Sequence, residues 1–422
     1  MTEALRRTAS AGLWLLIFAA CLELGLRAAP QAIPLSVLTR FDPAIRSEIA
    51  ARRNLARAED TTLVARGDGG PPGRMWFFEP GTLVTSHFDE EGVTRQVAMD
   101  MNGLCNSPAD LYQAARFDVL ALGDSFTWCT AVAAEEAWPA RLQALTGLST
   151  YNAGMSGRGL YEYVQILEHF GLPKRPRVVV MAVYEGNDLR DAHRFHRARA
   201  AGDEQAQPQV CAFEWEWACG LHGALDTTPL RRWSYAYNLL SGGVHVASYA
   251  LRKSEIDFRY AVSFADGKTL EFNSDNADRD EVQYARWLSD GQLGPELFDE
   301  ALEAFMARAR QHHFVPVVVY LPSAYTAFES QSRFEDPAVE SLLRAYSSAL
   351  RHYFERKAEE LGYRYVDTVP AIQQMSQQLP SERRLYFRSN VHLTQQGHEL
   401  VARLVAEDLQ QLAVVPALDP IP

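Results

Sequence analysis

The stretch FDVLALGDS, residues 117–125, decides the fold. Its first six residues are mostly apolar and end at Gly123, which is typical of a strand buried on both faces of a parallel sheet. Ser125 follows directly, where the chain leaves the sheet on a tight turn. Ligand sites in open α/β sheets form at the carboxyl ends of the strands, so this serine is a candidate for chemistry.

The pattern of strand, loop and helix continues on the carboxyl side of this stretch. Further strands are predicted at residues 150–153, 177–184, 314–321 and 363–366, the second of them rich in β-branched residues, with helices at 135–145, 295–311, 341–360 and 400–409. Strands that alternate with helices imply a parallel sheet covered on both faces. The sequence therefore predicts an α/β fold, a flavodoxin-like three-layer α/β/α sandwich with a parallel sheet of about five strands.

Three regions are predicted along the 422 residues. Residues 1–30 form an N-terminal membrane anchor or signal segment, residues 31–110 an irregular extension, and residues 111–415 the α/β domain. A long insertion, at about 189–294, follows the third strand and is expected to cover one side of the site. It includes a hairpin at 258–272 that turns at Asp266-Gly267, and a Trp-rich stretch, 213–217, interpreted as insertion core or a sugar platform.

The N-terminus favours a membrane location. Arg6 and Arg7 precede the apolar run 11–22, which Glu23 interrupts. An uncleaved anchor with its N-terminus inside is predicted, since positive residues stay in the cytoplasm. A cleaved signal peptide, ending near the small residues 28–29, and a buried amphipathic helix are the alternatives. FAAC at 18–21 only weakly matches a lipoprotein signal. The first two interpretations place residues 31–422 outside the cytoplasm, in the periplasm for the anchored form.

Charge and cysteines limit the partners. The net charge is −12 without a basic tract, which argues against nucleic acid. Besides Cys21, the even number of four cysteines suits an oxidising compartment. Cys211 with Cys219 is the obvious disulfide, and Cys105 with Cys129 is either a second one or two free thiols. No zinc spacing occurs, no metal or other cofactor is predicted, and nothing indicates the oligomeric state.

Four motifs in chain order carry a family resemblance. They are GDS at 123–125, NAG at 152–154, GND at 186–188, and His392 ahead of the last helix, whose N-cap is predicted to be Thr394. Together with Trp138-Pro139 and Gly397-His398, this order resembles the SGNH (GDSL-like) serine hydrolases over about residues 100–410. The resemblance implies their α/β fold and an acyl-serine mechanism.

The resemblance also implies roles for single residues. Ser125 would be the nucleophile and His392 its base, because a serine hydroxyl attacks poorly without a base within hydrogen-bond reach. The backbone N–H groups of Ser125 and Gly154, with the side-chain amide of Asn187, would form the oxyanion hole. Asp188 would support the loop of Asn187.

One departure concerns the orientation of His392. The family places an aspartate two or three residues before the histidine, and Asn390 and Ser389 stand there instead. Three explanations stay open. Asn390 could accept the imidazole N–H, as amides do in Cys-His-Asn enzymes. A backbone carbonyl or another carboxylate, such as Asp367, could do so. Otherwise the site has lost most of its hydrolytic power.

The predicted function is an extracytoplasmic serine ester hydrolase that deacylates a glycan, such as an exopolysaccharide, or a lipid-like ester. An O-acyltransferase, a lipase or thioesterase, and a catalytically weak glycan-binding protein of this fold are the alternatives. A nucleotide-binding flavodoxin-like protein is set aside, since no GxxxxGK[ST] loop occurs. His193 and His196 resemble metal spacing but are interpreted as a solvated helix face, and His398 as a packing or capping residue.

Overall fold

The computed structural model describes residues 2–38, 41–52, 63–66, 75–78, 81, 83–88, 93–107, 111–200, 225, 228–256, 258–273, 281–388 and 390–412. The chain divides into two compact units. Unit 1 comprises Met1–Asp60 and Gln209–Glu255, and unit 2 comprises Thr61–Pro208 and Ile256–Pro422. All the predicted site residues belong to unit 2.

The described elements are numbered in chain order. The strands are β1 (Leu63–Arg66), β2 (Met75–Phe78), β3 (Leu83–Phe88), β4 (Val93–Ala98), β5 (Val119–Leu122), β6 (Thr150–Asn152), β7 (Val178–Tyr184), β8 (Arg259–Ser263), β9 (Thr269–Asn273), β10 (Val315–Leu321), β11 (Ser332–Phe334) and β12 (Arg364–Asp367). The helices are α1 (Thr2–Ala28), α2 (Leu35–Leu38), α3 (Pro43–Arg52), α4 (Trp138–Thr146), α5 (Leu160–Ile166), α6 (Asp188–Ala200), α7 (Tyr235–Ile256), α8 (Glu281–Ser289), α9 (Asp299–His312), α10 (Ala324–Ala327), α11 (Pro337–Leu361), α12 (Val369–Ser376) and α13 (Gln395–Gln411).

A five-stranded sheet forms the centre of unit 2, and it confirms the predicted α/β fold. The strand order is β12-β10-β7-β5-β6, and every neighbouring pair is parallel. β5 and β7 are buried at every residue, as strands covered by helices on both faces must be. The strands predicted from apolar runs each match one strand of this sheet to within two residues at either end.

The strand order places a crevice between β5 and β7. The chain moves from β5 outward to β6 on one side, then returns to β7 and continues to β10 and β12 on the other. Because crossover connections are right-handed, the helices after the return cover the opposite face. The loops that leave β5 and β7 therefore diverge, and such a switch point is where α/β sheets bind their ligands.

The segment 31–110 departs from its prediction. It was expected to be irregular, yet it contains α2, α3 and two antiparallel strand pairs, β1 with β2 and β3 with β4. Strands of four to six residues carry too few alternations to stand out as a periodic pattern. The predicted hairpin exists as β8 and β9, with Gly267 at a positive φ of 79° in its turn.

Unit 1 has a small apolar core of its own. Its buried residues come from the end of α1, the following two helices and the start of α7: Leu26, Ile33, Val37, Leu38, Phe41, Ile45, Ile49, Tyr235 and Ala236. α1 includes the run predicted as an anchor. Over the described part of the chain, none of the helices combines the length and the apolar character needed to cross a membrane.

A disulfide fastens the loop after β5. Cys105 and Cys129 are bonded and their Cα atoms lie 6.1 Å apart, which confirms the second of the predicted pairs. Cys129 is four residues beyond Ser125, so the bridge ties the turn of Ser125 to the segment before β5. Cys211 and Cys219 lie outside the described residues.

We expect the Cys105→Ser/Cys129→Ser variant to lose about 3 kcal/mol of unfolding free energy. The bridge closes a loop of 24 residues, and a cross-link of that span removes this much chain entropy from the unfolded state. Urea unfolding under non-reducing conditions measures the loss. Cys21→Ser is the matched control, since Cys21 is exposed and unbridged and its replacement should leave the midpoint unchanged. An unchanged midpoint in the double variant would contradict the expectation.

Candidate active site

The turn that contains Ser125 is shaped by Asp124, the residue before it. The Asp124 carboxylate accepts the Phe126 N–H at 2.8 Å, and its backbone carbonyl accepts the Trp128 N–H at 2.9 Å. Gly123 is required here, because a Cβ atom would lie 2.1 Å from Thr127 Oγ1. Ser125 is 8% exposed, and its backbone N–H donates to no acceptor in the described chain. That N–H is free to bind an oxyanion.

Asn152, at the end of β6, holds the neighbouring loop against this turn. Its Nδ2 donates to Thr127 O at 2.8 Å, and its Oδ1 accepts the Gly154 N–H at 2.9 Å. A Cβ atom on Gly154 would lie 2.6 Å from Trp128 N, so only glycine fits. The Gly154 N–H, predicted as an oxyanion donor, is thus already bonded in this structure.

Asn187 follows β7, on the other side of the switch point. α6 begins immediately after it, and Asp188 fixes this junction by accepting the Tyr184 N–H at 2.7 Å and the Tyr163 hydroxyl at 2.9 Å. Burial, and then the nearby Asp124 carboxylate, raise the pKa of Asp188 well above its usual value. The Asn187 side-chain Oδ1 is buried without a hydrogen-bond partner in the described chain.

His392 lies in the loop before α13, next to Asn390. Asn390 Oδ1 is 3.0 Å from the His392 backbone N and 2.5 Å from its Nδ1. A backbone N–H can only donate, so the amide atom facing it is the oxygen. An oxygen cannot donate to Nδ1, so Nδ1 carries a proton, and in the neutral ring the lone pair is then on Nε2. Nε2 is buried and has no partner within the described residues.

Three loops meet at the ring of Phe126. The ring stacks on Tyr184 with centroids 3.8 Å apart and lies 5.1 Å from the imidazole of His392. Phe126 adjoins Ser125 and Tyr184 ends β7, so the loop of His392 lies beside the turn of Ser125. Ser125 and His392 make no hydrogen bond with each other here, and such bonds often tighten only when substrate binds.

The histidine is held in its neutral form. Burial lowers the pKa of His392 from 6.5 to about 4. A neutral imidazole with its lone pair on Nε2 is the form that a general base requires. Of the other predicted orienting groups, Asp367 binds the Arg351 guanidinium at 2.9 Å, and Ser389 lies outside the described residues.

The other three histidines singled out from the sequence, His193, His196 and His398, make structural contacts. His193 Nδ1 is 3.0 Å from the Tyr284 hydroxyl, and His196 Nε2 is 2.7 Å from the Tyr161 hydroxyl. His398 Nδ1 accepts the N–H of Trp138 at the start of α4, which agrees with the predicted capping role. No group of His, Cys, Asp or Glu side chains in the described ranges could hold a metal ion.

Glu185 is a buried carboxyl that the sequence reasoning missed. It directly follows β7, is fully buried, and accepts hydroxyl hydrogen bonds at 2.6–2.9 Å from Tyr320, Thr326 and Ser347. Burial raises its pKa. These contacts fasten the end of β7 to β10, α10 and α11, two residues before Asn187. Hydroxyl donors from three separate elements leave no local pattern from which they could be predicted.

No family model and no curated protein matches the chain. Among solved structures, a lipolytic protein of the G-D-S-L family from Desulfitobacterium hafniense is similar at 14% identity and a TM-score of 0.34, with 68% of this chain and 97% of that one covered. An acetylxylan esterase from Geobacillus stearothermophilus is similar at 14% identity and a TM-score of 0.33, with 69% and 94% covered.

Proposed function

We propose that the chain is a serine ester hydrolase with Ser125 as nucleophile and His392 as general base. The observation that carries the proposal is the bond from His392 Nδ1 to Asn390 Oδ1, which leaves a neutral imidazole with its lone pair on Nε2. The loops of Ser125 and His392 adjoin at Phe126, beside the switch point of the sheet. A base in the required tautomer next to an almost buried serine suits acyl transfer through an acyl-enzyme.

The reaction would run in two steps. Ser125 Oγ attacks the ester carbonyl and its proton passes to His392 Nε2, while the Ser125 N–H and the Asn187 amide stabilise the oxyanion. The alcohol leaves with that proton. Water then attacks the acyl-serine, His392 takes and returns the second proton, and the carboxylic acid leaves.

For substrate and location we propose an acylated glycan outside the cytoplasm, with the chain anchored at a membrane or, alternatively, secreted after signal cleavage. The Cys105–Cys129 disulfide supports an oxidising compartment. Acyl groups such as acetate on envelope or exopolysaccharide glycans are the esters that such a location would present.

The test uses the purified full chain and the p-nitrophenyl esters of acetic and butyric acid. We expect p-nitrophenol release faster than background, with acetate preferred, and fluorophosphonate labelling that mass spectrometry maps to Ser125. Addition of a soluble oligosaccharide acceptor separates transfer from hydrolysis, since a transferase would form acylated oligosaccharide. A folded chain that neither turns over these esters nor takes the label would overturn the hydrolase and favour a glycan-binding protein of this fold.

The pH profile follows from the state of His392. With its pKa lowered to about 4, the base is neutral at higher pH, so kcat/KM should stay level from neutral pH down to about pH 5 and then fall. An acid limb near the ordinary value of about 6.5 would contradict this expectation.

The same lowered pKa also makes the stability of the fold depend on pH. The unfolded ring binds a proton below about pH 6.5 and the folded ring does not, so stability falls as the pH drops from there toward 4.

A further inference from the structure

The middle turns of α1, from Leu13 to Phe18, carry exposed apolar side chains. Leu13, Trp14, Ile17 and Phe18 are all exposed, Trp14 to 67%. At 100° per residue these four cover an arc of about 140°, and Ala19 and Ala20, on the remaining circumference, are exposed as well. Large apolar side chains in this density on a surface mark a site of interaction.

The helix packs against the small core of unit 1 only from Leu22 onward. Leu26 is buried in the small core, and the Glu23 carboxylate accepts N–H bonds from Tyr235 and Ala236 at the start of α7, at 3.2 and 2.9 Å. Arg27 donates to Glu23 at 2.6 Å. The charge of Glu23 is therefore compensated at the point where the exposed turns of α1 end.

A second apolar group lies beside that junction. Trp233 is 74% exposed, and its backbone carbonyl accepts a bond of 2.5 Å from Arg27 Nη2. Leu24 and Leu230 are exposed nearby in the chain. Tryptophan next to arginine is the combination that proteins place at the level of lipid headgroups. Because Arg27 binds both Glu23 and the Trp233 carbonyl, Trp233 lies near the same end of the exposed turns as Glu23.

The length of the uncharged part of α1 and the basic residues on either side of the apolar surface indicate which kind of partner fits it. Residues 8–22 carry no charge, and as a helix they measure about 22 Å, less than the roughly 30 Å of a bilayer core. Arg6 and Arg7 precede them, and Arg232 is exposed beside Trp233. Apolar turns between basic residues suit insertion into a membrane with negatively charged headgroups.

We propose that unit 1 binds a lipid bilayer with anionic headgroups, into whose apolar part α1 inserts the exposed turns that contain Trp14 and Phe18, while Trp233 rests at the interface. The insertion 189–294 thus contributes part of a membrane-binding surface. The inference deepens the proposed membrane location. It is independent of ester hydrolysis, since unit 1 contains none of the candidate catalytic residues.

The test is flotation of the full chain with vesicles after removal of detergent. We expect the protein to float with phosphatidylglycerol-containing vesicles and to bind pure phosphatidylcholine more weakly. The Trp14→Ser/Phe18→Ser variant should lower the bound fraction about tenfold, and Trp233→Ser about threefold. Met101→Ser is the matched control, an exposed apolar residue of unit 2 that should leave flotation unchanged.

Three results would overturn the proposal. One is flotation that the substitutions at Trp14, Phe18 and Trp233 leave unchanged. Another is equal binding to both kinds of vesicle. The third is a stable dimer in solution that the Trp14→Ser/Phe18→Ser variant converts to monomers, which would assign the surface to a second copy. The replaced side chains are exposed, so circular dichroism should show native folding in every variant, and ester turnover by unit 2 reports separately on the proposed hydrolase.

Discussion

Replacing Ser125 by alanine is expected to lower kcat toward p-nitrophenyl acetate by about 10⁴-fold or more, to near the rate without enzyme. The hydroxyl supplies the atom that forms the acyl-enzyme, and no other group in the proposed mechanism can take its place. Single removals of a nucleophile or its base in serine hydrolases cost this much, because the residues act as a unit. The fluorophosphonate label should disappear in parallel.

Ser156→Ala is the matched control for this experiment. Ser156 lies in the loop after β6 and is exposed, so it shares the neighbourhood but not the role. Its replacement should keep kcat within about twofold and leave the label on Ser125. Turnover that survives Ser125→Ala at the wild-type rate would show that another group carries the reaction. Thermal unfolding at the wild-type temperature would show that a loss of activity is not a loss of fold.

The sequence was most informative where chemistry and secondary structure coincide. The run at 117–122 predicted β5 because a strand buried on both faces must be apolar throughout, and the motif that follows it placed Ser125 at the strand's end. Asn187 was placed for the same reason after β7. Such features are local, so a single stretch of sequence contains them.

What the sequence could not predict depends on contacts between distant residues. The side-chain amide of Asn152 binds the Thr127 carbonyl and the Gly154 N–H. The Gly154 N–H, which the motif predicted as an oxyanion donor, therefore already has an acceptor. Asp367 was a reasonable orienting group until the structure showed it bound to Arg351 on α11. Both outcomes depend on which side chains the packed helices and strands bring together.

The group that orients His392 also could not be predicted from the sequence alone. The sequence left open an amide, a carboxylate or a lost function, because an Asn two residues before a His permits each of them. Only the two distances from Asn390 Oδ1, to the backbone N and to Nδ1 of His392, identify the oxygen and hence the tautomer. An amide provides the tautomer without the negative charge that an aspartate would add.

Removal of the Asn390 side-chain oxygen should therefore lower the rate of ester hydrolysis strongly. We expect Asn390→Leu, which keeps the side-chain size, to lower kcat by about 10³-fold. The His392 Nδ1 and backbone N–H would both lose their acceptor, and an imidazole free to place its proton on Nε2 cannot take one from Ser125. Thermal unfolding serves as the check on folding, and activity within a few-fold of wild type would contradict the assignment of Asn390.

Asn390→Asp complements the leucine variant, because it keeps an oxygen acceptor for His392 Nδ1 and adds a negative charge. A carboxylate at 2.5 Å from Nδ1 would stabilise the imidazolium and raise the pKa of His392 from about 4 by roughly one to three units. The acid limb of kcat/KM should move to higher pH by the same amount, while kcat at neutral pH rises about tenfold, since the transition state carries the protonated ring. Steady-state rates with p-nitrophenyl acetate between about pH 4 and 8 measure both effects. An acid limb that stays in place would mean that the group controlling it is not His392, and the proposed base would then have to be sought elsewhere in the site.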